Sequence, residues 1–434
     1  MGKVKVLTAR QAADLIKDGD TVTLSGFVAN GIAEALNTAA EERFLETGHP
    51  KDLTLFWVAG TGNKDGSHAD HYAHEGMVKK VIGGHFNFVP KICEMLSENK
   101  IEGYNVPQGA IAQMLRDNAA RKVGTISHVG IGTFADPRNG GGRLSEKTKE
   151  DIVKIIELEG QEQLFYPRIP LDVAFIRGTY ADELGNITLE KEMAPLDATS
   201  QAMAVHNNGG LVVVQVERVV KAGHLDPKLV KIPGIYVDAV VECPADDPKQ
   251  SQSINCTYDP AYAGNTQVPV SSLEPKKLDA KKIIGRRAAM ELKKNVVVNL
   301  GVGVPEWVSS VAAEEGVADE MTLTVECGPV GGVPGGGLRF GGSVNAQAYM
   351  DEGYQFDFYD GGGLDLCFLG LAEVDNNGDV NVSRLGTRIT GSGGFTNISS
   401  NSKKAVFCGT FTNGVKIQTG DGKLTILEEG KKHK

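Results

Sequence analysis

The chain of 434 residues contains an internal repeat, and this repeat limits the possible folds more than any other feature. The segment DVAFIRGTYADELGNIT begins at Asp172 and matches DLCFLGLAEVDNNGDVN, which begins at Asp365. Each copy predicts an apolar strand, a polar turn with Asp and Gly, and a second strand. The paired residues recur at one constant offset: Asp172 with Asp365, Phe175 with Phe368, Asp182 with Asp375, and Gly185 with Gly378.

Two earlier blocks repeat in the same order. ARQAADLIKDGDTVTLSGF resembles GRRAAMELKKNVVVNLGVG, and each predicts a helix, a buried strand and a glycine loop that opens a second helix. DLTLFWVAG matches EMTLTVECG. Strands that alternate with helices favour parallel sheets, whose sites lie at the carboxyl ends of the strands. We therefore predict an α/β protein with two related open domains, mainly parallel sheets and a site at the domain interface.

The repeat also sets the expected domain boundaries. We expect an N-terminal domain over residues 1–245 with an insertion at about 63–170, a polar interdomain segment over 246–280, and a C-terminal domain over 281–434. The second copy lacks a counterpart of the strand pattern IYVDAVV at Ile235–Val241. The C-terminal domain is therefore expected to be truncated, with an open sheet edge or a separate C-terminal segment that completes it.

Composition excludes several classes of function. A net charge of −10 at pH 7 argues against a nucleic-acid-binding surface. We find no run of 18 apolar residues and no signal-peptide core, so we expect a cytoplasmic protein that does not enter the membrane. The six cysteines are scattered without a CxxC pair, which is typical of reduced thiols.

Two nucleotide-binding motifs and one candidate metal motif were considered. GVGVPE has Glu306 where a third glycine would complete GxGxxG, and no GxxxxGK[ST] occurs, so neither nucleotide motif is supported. His68, His71 and His74 are spaced by three residues. On an α-helix such residues drift by about 60° per step, so we expect a surface turn here and not a zinc site.

The most informative acidic residue is Glu326, in TLTVECGPVGGVPGGGLRFGG. It follows an apolar strand and precedes a loop with almost no side chains. It is either a solvated strand-end residue or a group that reacts with a large ligand admitted by the bare loop. The matching position in the first repeat is Val58, so the scaffold does not require an acid here. This difference favours a functional role for Glu326.

A functional carboxylate is a general base, a metal ligand or a nucleophile. Cys327 is a soft partner for a hard oxygen ligand, which disfavours a metal. A nucleophilic carboxylate attacks an activated acyl group, and the oxyanion that forms needs N–H donors. The loop formed by Gly301, Val302 and Gly303 precedes a helix and offers such amides, although it is also an ordinary strand-to-helix turn.

These blocks, together with GIGTFADPRNGGGRL, resemble the family I coenzyme A transferases over essentially the whole chain. The nearest group consists of single-chain enzymes that act on acetate, propionate or lactate. The resemblance implies that Glu326, with Gly328, forms the catalytic E-x-G segment. It also implies that Gly301 and Gly303, with Pro305, form the G-x-G-x-P segment of the oxyanion hole.

The implied reaction is ping-pong transfer of coenzyme A (CoA) between a short-chain acyl-CoA and a short-chain carboxylic acid. It proceeds through an acyl-glutamyl anhydride and a glutamyl-CoA thioester, so CoA is a substrate and covalent intermediate, and no metal or other cofactor is needed. We expect a homo-oligomer. Further candidates for CoA- or acyl-binding loops are Gly26, Phe27, Gly328, Gly361, Gly362 and Gly363.

An anhydride hydrolyses quickly, so apolar walls should exclude water from the site. Phe27, Trp57 and Val58 are candidates for that wall, and core packing is their alternative role. Three other functions stay open: an acyl-CoA hydrolase, a non-catalytic sensor of acyl-CoA or sugar phosphates on a related fold, and a subunit of a larger acyl-carrier complex.

Overall fold

The computed structural model describes residues 2–269, 275–430 and 432–433. Within these ranges no helix is both long enough and apolar enough to cross a lipid bilayer. The described residues form nine α-helices: α1 (Ala9–Ala13), α2 (Glu34–Thr47), α3 (Pro90–Ser97), α4 (Gln108–Ala119), α5 (Ala198–Asn207), α6 (Ala280–Ala289), α7 (Glu306–Glu314), α8 (Glu352–Asp360) and α9 (Phe395–Asn401).

The first half of the chain is built on one large parallel sheet. Its strands are β1 (Lys5–Leu7), β2 (Thr21–Leu24), β3 (Leu53–Trp57), β4 (Val78–Gly83), β5 (Glu102–Asn105), β6 (Gly124–Ser127), β7 (Lys154–Leu158), β8 (Gln161–Pro167), β9 (Val173–Arg177), β10 (Tyr180–Asp182), β11 (Ile187–Thr188), β12 (Leu211–Val216), β13 (Arg218–Val220), β14 (Val230–Ile232) and β15 (Ala239–Glu242). The sheet has the order β1-β15-β12-β9-β2-β3-β4-β5, and every neighbouring pair is parallel. Smaller sheets join β6, β8 and β7, and β13, β10, β11 and β14.

The second half repeats this design on a smaller scale. Its strands are β16 (Val297–Leu300), β17 (Thr322–Thr324), β18 (Pro329–Val330), β19 (Val333–Pro334), β20 (Ser343–Val344), β21 (Ala348–Tyr349), β22 (Leu366–Gly370), β23 (Glu373–Val374), β24 (Val380–Asn381), β25 (Arg384–Leu385), β26 (Arg388–Ile389), β27 (Ala405–Cys408), β28 (Thr412–Asn413), β29 (Lys416–Gly420), β30 (Lys423–Glu428) and β31 (Lys432–His433). Its main sheet has the order β21-β18-β17-β16-β22-β27. Strands β17, β16, β22 and β27 are parallel, whereas β18 and β21 pair antiparallel.

The strands of matching sequence occupy matching places in the two sheets. The order β12-β9-β2-β3 in the first sheet corresponds to β27-β22-β16-β17 in the second. Phe175 of β9 and its counterpart in the repeat, Phe368 of β22, are both fully buried. The prediction of an α/β protein with mainly parallel sheets is thus confirmed.

The repeated aspartates perform the same structural task in each half. The carboxylate of Asp172 accepts a 2.8 Å hydrogen bond from the first amide of β2, and that of Asp365 accepts one of 2.9 Å from the first amide of β16. Asp182 and Asp375 each accept bonds from the amides two and four residues later. These contacts fix strand alignment and turn shape, which explains why both copies of the repeat contain the same acids.

The two sheets differ at one edge. Beyond β12, the first sheet continues with β15 and β1, whereas β27 is the last strand of the second sheet in the described part of the chain. Phe407 of β27 is 40% exposed. The hairpin of β29 and β30 is exposed along β30 and is not part of this sheet. The expected additional segment stays a prediction.

The insertion and the interdomain segment are more integrated than their sequences suggest. The stretch at about 63–170 supplies β4 and β5 of the large sheet. Within 246–280, Gln252 and Ser253 are buried, and the Ser253 hydroxyl donates to the Leu338 carbonyl. Residues 270–274 of this segment lie outside the described residues. The described part of 246–280 is therefore packed against the glycine-rich loop of the second half.

A large hydrophobic cluster is shared by the two halves. Helix α4 of the first half packs on α8 and α9 of the second, and Phe356, Tyr359 and Ile398 join the apolar cluster beneath the large sheet. At this contact the Gly109 amide donates a 3.0 Å hydrogen bond to the Asn397 side chain. A Cβ at Gly109 would lie 2.4 Å from the Asn397 Nδ2 and 2.7 Å from the Phe356 ring.

We therefore expect Gly109→Ala to push α4 away from α8 and α9. This overpacking should lower the free energy of unfolding by about 1–3 kcal/mol. This loss should exceed the gain of about 1 kcal/mol in helix propensity. Urea unfolding measures the change. Gly420→Ala is the control, because a Cβ there meets no atom within 4 Å. Equal stability of the two variants would contradict a tight contact at Gly109.

Candidate active site

Glu326 lies just beyond the carboxyl end of β17 and faces a cavity of about 180 Å³ between the two halves. Both repeats contribute loops that follow parallel strands, so the cavity lies where such folds place their sites. The lining residues are Phe27, Val28, Gly60, His85, Phe88, Gln108, Gly301, Val302, Glu326, Phe340, Leu369, Gly370, Val382, Thr390, Gly391, Ser392, Gly393, Gly394, Phe395 and Ile398.

The Glu326 carboxylate is buried and almost without partners. The residue is 7% exposed, and burial raises the pKa of its carboxyl to about 7. The Asn299 side chain donates to it over 3.5 Å, which is a weak hydrogen bond. Among the described residues that line the cavity, none is Lys or Arg. Glu326 is therefore a poorly solvated carboxylate, and not the solvated strand-end residue of the alternative interpretation.

The glycine loop after β16 is partly placed as predicted. Gly301 and Val302 line the cavity with Glu326, whereas Gly303 does not. The Gly301 amide donates to the Phe368 carbonyl (2.8 Å) and the Gly303 amide to the Glu306 carboxylate (2.7 Å). The Val302 amide has no acceptor among the described residues. Val302 is thus the member of this loop whose N–H is available to a ligand.

A second glycine-rich segment, Gly391–Gly394, also lines the cavity. The Gly393 amide donates to the Gly84 carbonyl (2.8 Å), and the Gln108 amide donates to the Gly393 carbonyl (3.1 Å). A Cβ at Gly394 would lie 3.5 Å from Glu326 Cγ. The Gly394 amide also lacks an acceptor among the described residues, so two backbone amides are available near the carboxylate.

Several predicted site residues lie outside the cavity. Gly26 and Gly328 have φ of 140° and 137°, and a Cβ would lie 2.5 Å from Thr61 Oγ1 and 2.2 Å from the Met350 carbonyl oxygen, respectively. Gly26 and Gly328 shape the loops that contain Phe27 and Glu326, and these two residues line the cavity. Gly361, Gly362 and Gly363 precede β22, at the amino end of a strand whose carboxyl end meets the cavity.

The predicted apolar wall is also only partly present. Phe27 lines the cavity, and its ring stacks on Phe340 at a centroid distance of 5.8 Å. Trp57 is fully buried against Phe86, and Val58 belongs to the core shared by the two halves. Neither Trp57 nor Val58 is among the lining residues, so the structure assigns both to core packing.

Five polar residues of the site were missed in the sequence. The cavity is lined by His85, Gln108, Thr390 and Ser392, and Asn299 of β16 donates to Glu326. A polar residue inside the apolar run VVVNL was a usable signal for Asn299. No local pattern marks His85 or Gln108, because they reach Glu326 only when the two halves pack together.

A buried pair of carboxyl groups supports Gln108. The Gln108 side-chain nitrogen donates a 2.6 Å hydrogen bond to Glu352, and Glu352 lies against Asp197. Burial, followed by repulsion between the two acids, raises the pKa of Glu352 well above its usual range. Burial also raises the pKa of Asp197 to about 7. The pair therefore holds a proton near neutral pH and fixes the Gln108 side chain.

A larger cavity of about 650 Å³ lies beside α7 but does not contain Glu326. Its two lining acids are already engaged. Glu306 accepts hydrogen bonds from the Gly303 and Gly337 amides, and Glu314 pairs with Lys282 at 2.5 Å. These acids hold loops and helices in place, so the smaller cavity is the better candidate for the reaction.

The surface turn predicted at the three histidines is not observed. His68–Tyr72 form a 3₁₀ helix, in which residues three apart lie above one another, and His68 is only 3% exposed. His68, His71 and His74 alternate with the carboxylates of Glu34 and Glu41 in a chain of hydrogen bonds. Over the described ranges, no group of three or more His, Cys, Asp or Glu side chains is arranged to hold a metal ion.

The burial of Glu326 gives a testable dependence of stability on pH. Its carboxyl is protonated in the folded chain up to about pH 7 but ionises near its ordinary value of 4.5 when unfolded. Each pH unit in this window lowers the stability by about 1.4 kcal/mol. We expect Glu326→Gln to match the native chain near pH 4 and to exceed its stability by at most about 3 kcal/mol at pH 8, measured by urea unfolding.

Asp357→Asn is the control for this effect, because Asp357 is an exposed partner of Arg116. It should show no gain in stability between pH 4 and pH 8. A Glu326→Gln variant whose advantage does not grow over this interval would show that the carboxyl is solvated.

Comparison with known proteins gives a consistent result. A family model described as "Coenzyme A transferase" matches residues 6–243. "Acetate CoA-transferase YdiF" of Escherichia coli (strain K12) is 44% identical over 434 residues, which cover 99% of this chain and 81% of the relative. "Caffeate CoA-transferase" of Acetobacterium woodii is 42% identical over 98% of this chain and 82% of its own length.

The same relationship holds for solved structures. The crystal structure of the acyl-CoA transferase YdiF apoenzyme from Escherichia coli O157:H7 superposes with a TM-score of 0.93 and 42% identity. The superposition covers all of this chain and 82% of the YdiF chain. A YdiF thioester complex with CoA also superposes with a TM-score of 0.93. The chain therefore belongs to the coenzyme A transferase family and is a CoA-transferase.

Proposed function

We propose that the enzyme transfers CoA reversibly between a short-chain acyl-CoA and a free short-chain carboxylic acid, with Glu326 as the covalent nucleophile. One observation carries this proposal: a single, poorly solvated carboxylate faces a small cavity between the two halves. A carboxylate with few hydrogen-bond donors keeps its lone pairs available for attack on an acyl carbonyl.

The reaction consists of acyl exchanges that balance without a general acid or base. The Glu326 carboxylate attacks the acyl-CoA carbonyl, and the C–S bond breaks to give an acyl-glutamyl anhydride and CoA thiolate. The thiolate then attacks the Glu326 carbonyl of the anhydride, which releases the first acid as its carboxylate and leaves a glutamyl-CoA thioester. A second carboxylate reverses both steps. No proton is transferred, in keeping with a site that supplies no strong acid.

Each attack produces a tetrahedral oxyanion that needs N–H donors. The Val302 and Gly394 amides line the cavity and have no acceptor among the described residues, so we assign them to this task. Gly301 and Gly303 act indirectly, because their own amides hold the loop to β22 and to Glu306. Of the three loop residues that were predicted to form the oxyanion site, only Val302 is therefore assigned a direct hydrogen bond to the oxyanion.

The cavity walls favour a short acid with one carboxylate. Phe27, Val28, Phe88, Phe340 and Ile398 make most of the wall apolar. A second carboxylate on the substrate would be buried without a cation, which costs several kcal/mol. The relatives named above are described by acids as different as acetate and caffeate, so the choice of acid within this class depends on the side chains that line the cavity.

We expect CoA to be trapped covalently on Glu326. The enzyme is incubated with acetyl-CoA without an acceptor acid and then reduced with borohydride, and the modified peptide is identified by mass spectrometry. Glu326→Gln is the control and should give no adduct. Glu326→Asp should lose at least about 100-fold in kcat, because the carboxylate retreats by about one methylene. Normal turnover without modification at Glu326 would overturn the mechanism.

We expect Val302→Pro to lower kcat by about 100-fold, because proline removes the N–H assigned to the oxyanion. The matched control is Val302→Ala, which keeps the N–H and changes only an exposed side chain. It should stay within about threefold of the native enzyme. Circular dichroism checks that both variants fold. If the proline variant retains full kcat, the Val302 amide does not stabilise the oxyanion.

A further inference from the structure

The side chain of Glu306 joins two loops of the candidate active site without lining its cavity. One carboxylate oxygen accepts a 2.7 Å hydrogen bond from the Gly303 amide, at the end of the loop that carries Val302. The other oxygen accepts a longer bond of 3.3 Å from the Gly337 amide, in the segment that leads to Phe340. Val302 and Phe340 both line the cavity, so a side chain outside the cavity contacts two segments that shape it.

Glu306 is bonded to Gly303 in both directions. The Glu306 amide donates to the Gly303 carbonyl (3.2 Å), while the Glu306 carboxylate accepts from the Gly303 amide. This spacing of three residues is that of a capping box, in which a Glu near the start of a helix reaches back to the amide of the residue that precedes the helix. A negative charge is also favoured in the first turn of α7. The local sequence GVPE therefore accounts for a stable turn between the loop and α7.

Packing against the described residues contributes little to the position of the Val302 amide. The Val302 side chain is 46% exposed, and a Cβ at Gly303 would meet no described atom within 4 Å. The Gly301 amide donates to the Phe368 carbonyl, so the loop is anchored on one side of Val302 by β22 and on the other side by Glu306. The direction of the Val302 N–H depends on both anchors, because the orientation of a planar peptide group follows the dihedral angles on each side of it.

We propose that Glu306 is a positioning residue for the reaction, because its hydrogen bond to the Gly303 amide orients the Val302 N–H toward the oxyanion. This inference rests on the proposed function and adds a residue that acts through Val302. The charge of Glu306 cannot provide the benefit, because a negative charge near an oxyanion opposes its formation. The benefit comes from the hydrogen bond, so a neutral acceptor of the same length should supply it.

The test compares two uncharged replacements of Glu306 that have similar length. CoA transfer from acetyl-CoA to propionate is measured, and kcat is expressed per folded enzyme with the folded fraction taken from circular dichroism. Glu306→Met offers only a weak acceptor, so we expect its kcat to fall at least about tenfold with the KM for acetyl-CoA within about threefold of the native value. Glu306→Gln keeps an oxygen that accepts from the Gly303 amide and should keep kcat within about threefold.

Two comparisons separate orientation of the amide from general damage. Glu314→Gln changes the other acid of α7 and removes its ion pair with Lys282, so it should lower the stability to urea and leave kcat unchanged. In a Val302→Pro background the N–H is already absent, so adding Glu306→Met should lower kcat by less than about threefold. A role of Glu306 that is unrelated to Val302 would lower kcat by the same factor in both backgrounds.

Three results would overturn the inference. Glu306→Met could keep a native kcat, Glu306→Gln could be as impaired as Glu306→Met, or the loss in Glu306→Met could persist undiminished when residue 302 is proline. Failure of the proposed function is recognised separately, and the inference then fails with it. In that case the native enzyme itself would transfer no CoA to propionate and form no adduct on Glu326, or Val302→Pro alone would retain full kcat.

Discussion

The hydrogen bonds between Gly393 and the first half of the chain hold the site together. The Gly393 amide donates to the Gly84 carbonyl at the end of β4, and the Gly393 carbonyl accepts from the Gln108 amide at the start of α4. These bonds bring a segment of the second half against two loops of the first. His85 follows Gly84 in the chain, so these bonds place both His85 and Gln108 beside the segment that ends next to Glu326. The cavity is therefore a product of the contact between the halves and not of either sheet alone.

That contact also explains the electrostatic character of the site. Packing of the halves excludes water from Glu326, and the surrounding residues provide a weak hydrogen bond from Asn299 in its place. An uncompensated carboxylate opposes folding at neutral pH, since the unfolded chain solvates it fully. Burial of apolar side chains in the large shared cluster, which includes Phe356 and Tyr359, offsets this loss of stability. The proposed mechanism requires an ionised carboxylate at this position, so the stability is lowered at the site of the proposed reaction, a common pattern in active sites.

Features that follow from local pattern and from the repeat could be predicted from the sequence. The parallel strands and the positions of Val302 and Glu326 beyond the ends of two neighbouring strands belong to this class. The placement of Gly361–Gly363 could not be predicted from composition, because a glycine loop looks the same at either end of a strand. Only the strand direction shows that this loop precedes β22, away from the cavity. The surface turn expected at His68 and His71 was wrong because these residues lie in a 3₁₀ helix, which aligns positions that an α-helix spreads.

The matching positions Val58 and Glu326 have a consequence for stoichiometry. The two halves share the strand order β12-β9-β2-β3 and β27-β22-β16-β17 and the same aspartate-capped turns, yet only the second half ends its strand in an acid. The scaffold is duplicated, but the acid at Glu326 is not. In the proposed mechanism the second half supplies the nucleophile, and the first half supplies part of the enclosure. That mechanism therefore allows at most one covalently bound CoA on this site of each chain, and the largest number of loaded sites in an assembly equals its number of chains.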